Sequence, residues 1–459
     1  MLASCLLLNA CSDTDSSAYQ NIERHKILHV ITRNAPSVYY EGRDGPAGFE
    51  YELTKLFADE LGVELELRVA PTRSQILSAL DNGYTHLAAA GMVASEIRAD
   101  RYQFSTPYLE TASVVIYRDN QKKPENINDL IGKNVALVSD SYLNEKMQLL
   151  KQESPELQWQ ALDVESVELM RMVQDKKIDF AIITSHELEI HQAFYPSVKS
   201  AFSIGEKQQI SWYFPKSDDQ TLINLANRFF KRIEADGTLA HLKERYFGHL
   251  GQLNYVGART FIKHINTRLP KYDDAFKAAG TKQDIDWRLL AAVGYQESNW
   301  HAEATSPTGV RGLMMLTTAT AKELGVEDRL NPIASIHGGA RYLAQMRNRL
   351  NDDIPEPDRT WFALAAYNVG YAHLEDARML TEKGGKDPNK WVDVKEFLPL
   401  LQNKKYYTQT RYGYARGNEP VIYVQNIRRY YDVLSWMTMP KGSGQNIAQV
   451  SHVQQHKID

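Results

Sequence analysis

The residue of this chain best placed to move a proton is Glu297, in the run Asp284-Ile-Asp-Trp-Arg-Leu-Leu-Ala-Ala-Val-Gly-Tyr-Gln-Glu297-Ser-Asn-Trp300. Asp284 and Asp286 stand where a helix N-terminus favours acidic side chains, and the apolar spacing behind them predicts a helix from about Asp286 to Glu297. Leu290, Val293 and Glu297 then share one face. A carboxyl on an apolar stripe loses hydration, which favours its protonated form and lifts its pKa toward the range of a general acid. Taken alone, the helix leaves equally open a last-turn glutamate that points to solvent. His301, His337 and His373 have spacings that match no zinc signature, so neither a metal site nor a cofactor is expected. Both cysteines, Cys5 and Cys11, lie in the first eleven of 459 residues, which leaves no disulfide or thiolate site for the body of the protein.

Around this helix the chain is long enough for two cores. A net charge of -4 argues against nucleic acid as a partner, since binding a polyanion draws on concentrated positive charge. From Ile27 the pattern alternates strand and helix: a compact strand at Lys26–Thr32, a helix from Gly48 to Leu61 that stops at Gly62, and period-two alternation from Val63 to Val69. Further strands are expected at Leu87–Gly91, Ser113–Tyr117, Asn134–Val138 and Asp179–Thr184, which predicts an α/β domain with a largely parallel sheet. The second half reads almost wholly helical, at Thr260–Leu269, Tyr272–Ala279, Asp286–Glu297, Thr317–Leu324, Ile333–Leu350, Trp361–Val369, Tyr371–Thr381 and Tyr423–Met437. Gly248 and Gly251 mark the boundary. The expected organisation is a leader and spacer at 1–24, a first domain at 25–248, a link at 249–259, a second domain at 260–439 and a polar tail, expected to be disordered, at 440–459.

Four ordered motifs carry a first resemblance: Gly48-Phe-Glu-Tyr-Glu-Leu53, Ala90-Gly91-Met-Val-Ala-Ser-Glu-Ile-Arg98, Phe104-Ser-Thr-Pro-Tyr108, and Asp236-Gly-Thr-Leu239 with Tyr246-Phe-Gly248. Together they resemble the periplasmic amino-acid-binding proteins of ABC transporters. The resemblance implies two α/β lobes that close on a ligand between them. It assigns Arg98 to the ligand's α-carboxylate, which suits a planar bidentate donor, and places Gly91 and Thr184 in the same cleft. Val93 stands where that family usually has a threonine, and Thr184 about where an aspartate meets the ligand's ammonium, so recognition of a free zwitterionic amino acid is expected to be weakened. The leader, Leu6-Leu-Leu-Asn-Ala-Cys11-Ser-Asp, resembles the end of a bacterial lipoprotein signal with Cys11 as the acylated residue; Cys5 also fits that pattern. This implies a periplasmic body held on a membrane, most naturally the outer membrane, by a lipid.

In the second half, Glu297-Ser298, then Gly312-Leu-Met314-Met315, then Ala365-Ala-Tyr367-Asn368, then Tyr423-Val-Gln-Asn-Ile427 resemble, in order and spacing, the soluble-lytic-transglycosylase family with its goose-type lysozyme-like fold. The resemblance implies cleavage of peptidoglycan glycan strands between N-acetylmuramic acid and N-acetylglucosamine, with Glu297 as the single catalytic acid. It makes Ser298 a hydroxyl that orients the acid, Gly312 and Met314 the loop and wall beside the sugar, Tyr367 and Asn368 the lining of the cleft, and Tyr423 a phenol that approaches Glu297. Met315 stands where the family commonly has glutamine, which removes one amide from that wall. Most glycosidases need a second carboxylate about 5–10 Å from the first. The motifs supply none, since Glu303 and Asp328 read as surface or capping residues. A lone acid fits attack by the muramic acid's own C6 hydroxyl. The rival expectations are a hydrolytic muramidase and a non-enzymatic periplasmic sensor. The fused architecture suggests that a muropeptide or amino-acid-like ligand in the first half regulates the second.

Overall fold

The structure, a computed structural model, describes residues 17–35, 38–42, 45–250, 255–306 and 309–438. Cys11 and the 440–459 tail lie outside the described residues. The folded body begins before residue 25: Ser17 caps a helix at Ala18–His25 in a reciprocal box with Gln20, and Ile22 is fully buried in the first core.

The first half is two α/β lobes. In one sheet the strand order is Glu64–Ala70, Ile27–Arg33, Leu87–Ala88, Tyr213–Pro215, Tyr102–Phe104. The first three run parallel, Tyr213–Pro215 runs against them, and Tyr102–Phe104, antiparallel to that strand, runs with the first three again. The other sheet repeats the scheme: Gln160–Leu162, Val135–Val138 and Phe180–Thr184 are parallel, Ser113–Arg118 runs against them, and Val198–Ser203 runs with them again. Both sheets are therefore mixed, with four strands running one way and a single reversed strand in each. The antiparallel members arise because the chain leaves the first lobe, builds the second, and returns. The two crossings, Leu109–Thr111 and Gln208–Ile210, pair with each other as a two-stranded hinge.

Local chemistry explains the helix that starts the cleft. Phe49–Leu61 buries Phe49, Leu53 and Phe57 on one face and ends at left-handed Gly62. Its N-cap, Gly48, has φ +132, and a Cβ there would lie 2.3 Å from the Val38 carbonyl oxygen, so only glycine fits. Trp212, Phe57, Phe229 and Phe230 pack ring on ring in the same core, and each such fully buried ring contributes on the order of 2–3 kcal/mol.

The second half is helical and surrounds its own core, in which Leu290, Val293, Met314, Ile336, Phe362 and Val424 are all fully buried. Its helices include Trp287–Ser298, Pro332–Arg349, Asp358–Val369, Tyr371–Lys383 and Asn418–Met437. Tyr255–Thr267 is already helical within the expected 249–259 link, and Trp391–Phe397 and Lys404–Tyr407 are short helices that the apolar pattern did not reveal. The halves are joined by buried charge. Arg428 donates to the carbonyls of Glu244 (2.9 Å) and Arg245 (2.6 Å) at the end of the Thr238–Phe247 helix. Lys395 pairs with Glu244 at 2.6 Å, and Asp358 lies 3.3 Å from His241 and 3.7 Å from Arg245.

Candidate active site

The acid helix follows from its sequence. Asp286 caps it by accepting from the Arg288 amide at 2.9 Å, and Asn299, in the left-handed region at φ +51, ends it. Leu289 to Tyr295 are buried without a break, which fixes the helix between Phe276 on one side and the Leu313–Met314 loop on the other. Glu297 stands on its last turn, half-buried. The Tyr423 hydroxyl donates to Glu297 Oε1 at 2.5 Å from the Asn418–Met437 helix. Burial pushes the Glu297 pKa up to about 7, against the opposing effect of the Tyr423 bond. The Tyr423 and Tyr367 phenols are driven well above their usual range, by burial first and then by Glu297, so both stay protonated as donors. Their rings stack with centroids 6.4 Å apart, and the Tyr367 hydroxyl donates to the Met314 carbonyl at 2.8 Å.

Three expectations about this site change. The Ser298 hydroxyl donates to backbone carbonyls, 2.8 Å from Leu313 O and 3.1 Å from Gly294 O, and not to the Glu297 carboxyl. It fastens the acid helix to the loop and receives the His301 amide at 3.2 Å. Met314 is fully buried, with its side chain packed between Gly294 and Gly339, so the residue offers the site only its carbonyl. Asn368 is exposed at the end of its helix, whereas Tyr367 turns inward. Gly312 (φ +86) and half-buried Met315 (φ +48) both adopt the left-handed region, and the Ser335 hydroxyl holds the Met314 amide between them at 3.1 Å. Glu303 is exposed, and Asp328 accepts from the Leu330 amide at 2.8 Å as a turn cap.

Removing the Tyr423 hydroxyl gives a specific test. The bond stabilises the ionised carboxyl, so Tyr423→Phe should move the pKa of Glu297 upward and carry the alkaline limb of kcat/KM with it. Activity at pH 7 should fall about tenfold through lost positioning. An unchanged alkaline limb in the pH profile would remove Tyr423 from the proton chemistry.

In the first half, Arg98, Gly91 and Thr184 line one small cavity, as expected, but their partners differ from the expectation. Arg98 Nε donates to Glu145 Oε1 at 2.7 Å and its Nη2 to the Asp140 carbonyl at 2.8 Å. Thr184 caps the Ser185–His191 helix, and its hydroxyl bonds Glu187 at 3.1 Å. The Gly91 amide (φ +63) donates to Glu50 Oε1 at 3.0 Å; Glu50 is buried, also receives Trp212 Nε1 at 3.0 Å, and has its pKa raised by burial. Arg33, Arg73 and Glu187 share this cleft and were missed by the sequence reading. The signal for Glu187 was its place three residues after the N-cap Thr184, the spacing of a capping box.

Comparison with known proteins gives two family matches: bacterial extracellular solute-binding proteins, family 3, over residues 28–249, and the transglycosylase SLT domain over residues 274–390. Tyr423 reaches the site from beyond the second match. A membrane-bound lytic murein transglycosylase F of Hahella chejuensis is 52% identical over 453 residues, spanning 98% of this chain and 89% of the relative. One of Pseudomonas fluorescens is 49% identical over 446 residues, spanning 97% and 92%. A solved structure of a mutant ArgBP from T. maritima is 21% identical with a TM-score of 0.46, covering 50% of this chain and all of that one. The acid helix, the two-lobed domain before it and relatives matched over nearly the whole length have one reading: the chain belongs to the membrane-bound lytic murein transglycosylase F family.

Proposed function

We propose that this protein cleaves the β-1,4 bond between N-acetylmuramic acid and N-acetylglucosamine in peptidoglycan without consuming water, and that Glu297 does the proton work. The protonated carboxyl donates to the glycosidic oxygen, which leaves as the C4 hydroxyl of N-acetylglucosamine. The resulting carboxylate accepts the proton of the muramic acid C6 hydroxyl as that oxygen attacks C1, closing a 1,6-anhydro ring and restoring the acid. One group serves as acid and then base, and a pKa near neutrality suits both steps. The observation that carries this reading is the half-buried Glu297, with its pKa raised to about 7 and the Tyr423 hydroxyl 2.5 Å away. Tyr423 steadies the carboxylate formed midway. Tyr367, tied to the Met314 carbonyl, forms the wall behind it, with Gly312 and Met315 shaping the loop and Asn368 at the rim.

Mass spectrometry of digested sacculi tests the reaction. Anhydro-muramyl ends support it, and products heavier by one water would assign a hydrolytic muramidase instead. In this reading the first half, about 25–248, is a ligand-binding module for a cell-wall peptide or amino-acid-like ligand, with Arg98 among its contacts, and the second, about 260–439, is the lyase. The body works in the periplasm, held to the outer membrane through a lipid on Cys11. Metabolic labelling with a clickable palmitate, comparing the native chain with Cys11→Ala, tests the anchor.

A further inference from the structure

Three arginines of the first lobe, Arg33, Arg73 and Arg98, each pair across the cleft with a glutamate of the second lobe. Arg33 pairs with Glu165 and lies 3.0 Å from Glu187. Arg73 reaches Glu187 at 2.9 Å and Glu165 at 3.5 Å. Arg98 holds Glu145 at 2.7 Å. The glutamates are not equivalent. Glu187 is saturated: Arg33 and Arg73 donate to Oε1, and the hydroxyls of Ser166 (2.6 Å) and Thr184 (3.1 Å) to Oε2. Burial disfavours its charge, but Arg73 and Arg33 outweigh burial and lower its pKa to about 2, so it is a fixed anion of the floor.

Glu145 and Glu165 are held more loosely. Their side chains are 28% and 24% exposed. Glu165 is the N-cap of the Ser166–Gln174 helix yet makes no side-chain capping bond, and Glu145, in the first turn of the Tyr142–Glu153 helix, has an Oε2 with no hydrogen-bond partner. Each carboxylate sits at a helix start opposite a guanidinium, the surroundings a foreign carboxylate would seek. Arg73 is 9% exposed, lines the cavity, and keeps its Nη1 without a hydrogen-bond partner. In this closed arrangement the cavity measures about 30 Å³, room for about two waters, so a ligand carboxylate reaches Arg98 or Arg73 as the lobes part and a glutamate gives way.

We propose that Glu145 and Glu165 are built-in competitors for two carboxylate receptors, Arg98 and the Arg33–Arg73 pair, and that the cleft takes a ligand bearing two carboxylates, which displaces both. This rests on the reading of the first half as a ligand-binding module and names its ligand class. Exchanging one carboxylate for another at a single receptor gains little, because a comparable ion pair is lost. A ligand that reaches both receptors gains from making the second exchange intramolecular. A single-carboxylate ligand leaves one of the two competing glutamates on its arginine.

Calorimetry on the full chain tests this with γ-D-glutamyl-meso-diaminopimelate, a peptide with more than one carboxylate, against D-alanyl-D-alanine, which has one. The multi-acid should bind at least about tenfold tighter. Glu165→Gln and Glu145→Gln, each removing a competitor, should each tighten it about tenfold further, and Arg73→Gln should weaken it by a similar factor. Equal affinity for the two peptides, no binding of either, or glutamine variants that bind no tighter would overturn the proposal. The two glutamine variants are independent, so failure of one to fold leaves the other as the test. Anhydro product released from sacculi is measured on the same samples. Its absence beside tight multi-acid binding would sink the lyase reading alone, and its presence beside no binding would sink the ligand proposal alone.

Discussion

Glu297→Gln should lower kcat on sacculi by on the order of 10³-fold while glycan binding persists. Glutamine keeps the shape and still accepts from Tyr423, so what is lost is the proton. The same substitution has a signature that needs no substrate. In the fold the carboxyl has a pKa of about 7, above its ordinary 4.5. Below pH 4.5 it is protonated both folded and unfolded and costs nothing. As pH rises toward 7 and beyond, the unfolded chain ionises more readily, and the native state loses relative stability until the folded carboxyl ionises too. The variant escapes this loss. Its thermal midpoint should match the parent at pH 4.5 and exceed it by pH 8, by an amount equivalent to about 2 kcal/mol once partial solvent access is allowed for. Equal midpoints at both pH values would mean that Glu297 is not desolvated. Activity retained in the variant would remove it from the mechanism.

Gly312→Ala should be among the costliest small changes in the second half. A Cβ there would lie 1.8 Å from the Arg329 carbonyl oxygen and 3.0 Å from the Ser335 hydroxyl, at φ +86. Strain at positive φ costs about 1 kcal/mol, and the backbone clash should bring the total to about 4 kcal/mol or more. Relief requires moving the loop that supplies Leu313 O to Ser298 and Met314 O to Tyr367, so activity should fall with stability. Gly309→Ala is the control: its φ is +80, but a Cβ there meets nothing within 4 Å, so only the strain remains. Urea denaturation of both variants separates clash from strain. Equal midpoints would show that the loop gives way freely.

The acid helix was legible in the sequence because its signals are local. Asp286 at the cap, the apolar repeat and Glu297 on the same face all lie within one short segment. The approach of Tyr423 was available only through family likeness, since 126 residues separate it from Glu297. Family likeness sets Ser298 to orient the acid and Met314 to wall the sugar, yet a helix-end hydroxyl takes the nearest free carbonyl, and a long apolar side chain takes the core. Sequence period says which face a residue occupies and not what it touches. The cross-lobe pairs were hidden for the same reason. Arg33 and Glu165 stand 132 residues apart, each reading locally as an ordinary strand-end or helix-start charge. The antiparallel strands were missed because alternation reports that a strand has two faces and says nothing about its direction.

The buried charges that join the halves bear on modularity. Arg428, 1% exposed, finds its acceptors on the Thr238–Phe247 helix of the first half, and Asp358, 3% exposed, has His241 and Arg245 of that helix beside it. A lyase half cut free near residue 250 would bring these groups to a raw surface with their counterparts gone. The fusion is thus no string of interchangeable beads. Water would hydrate both groups once exposed, and Asp358 would keep the Trp391 amide, so what separation forfeits is the fixed placement of one half against the other: the two travel as one lever and not as two tools on a string.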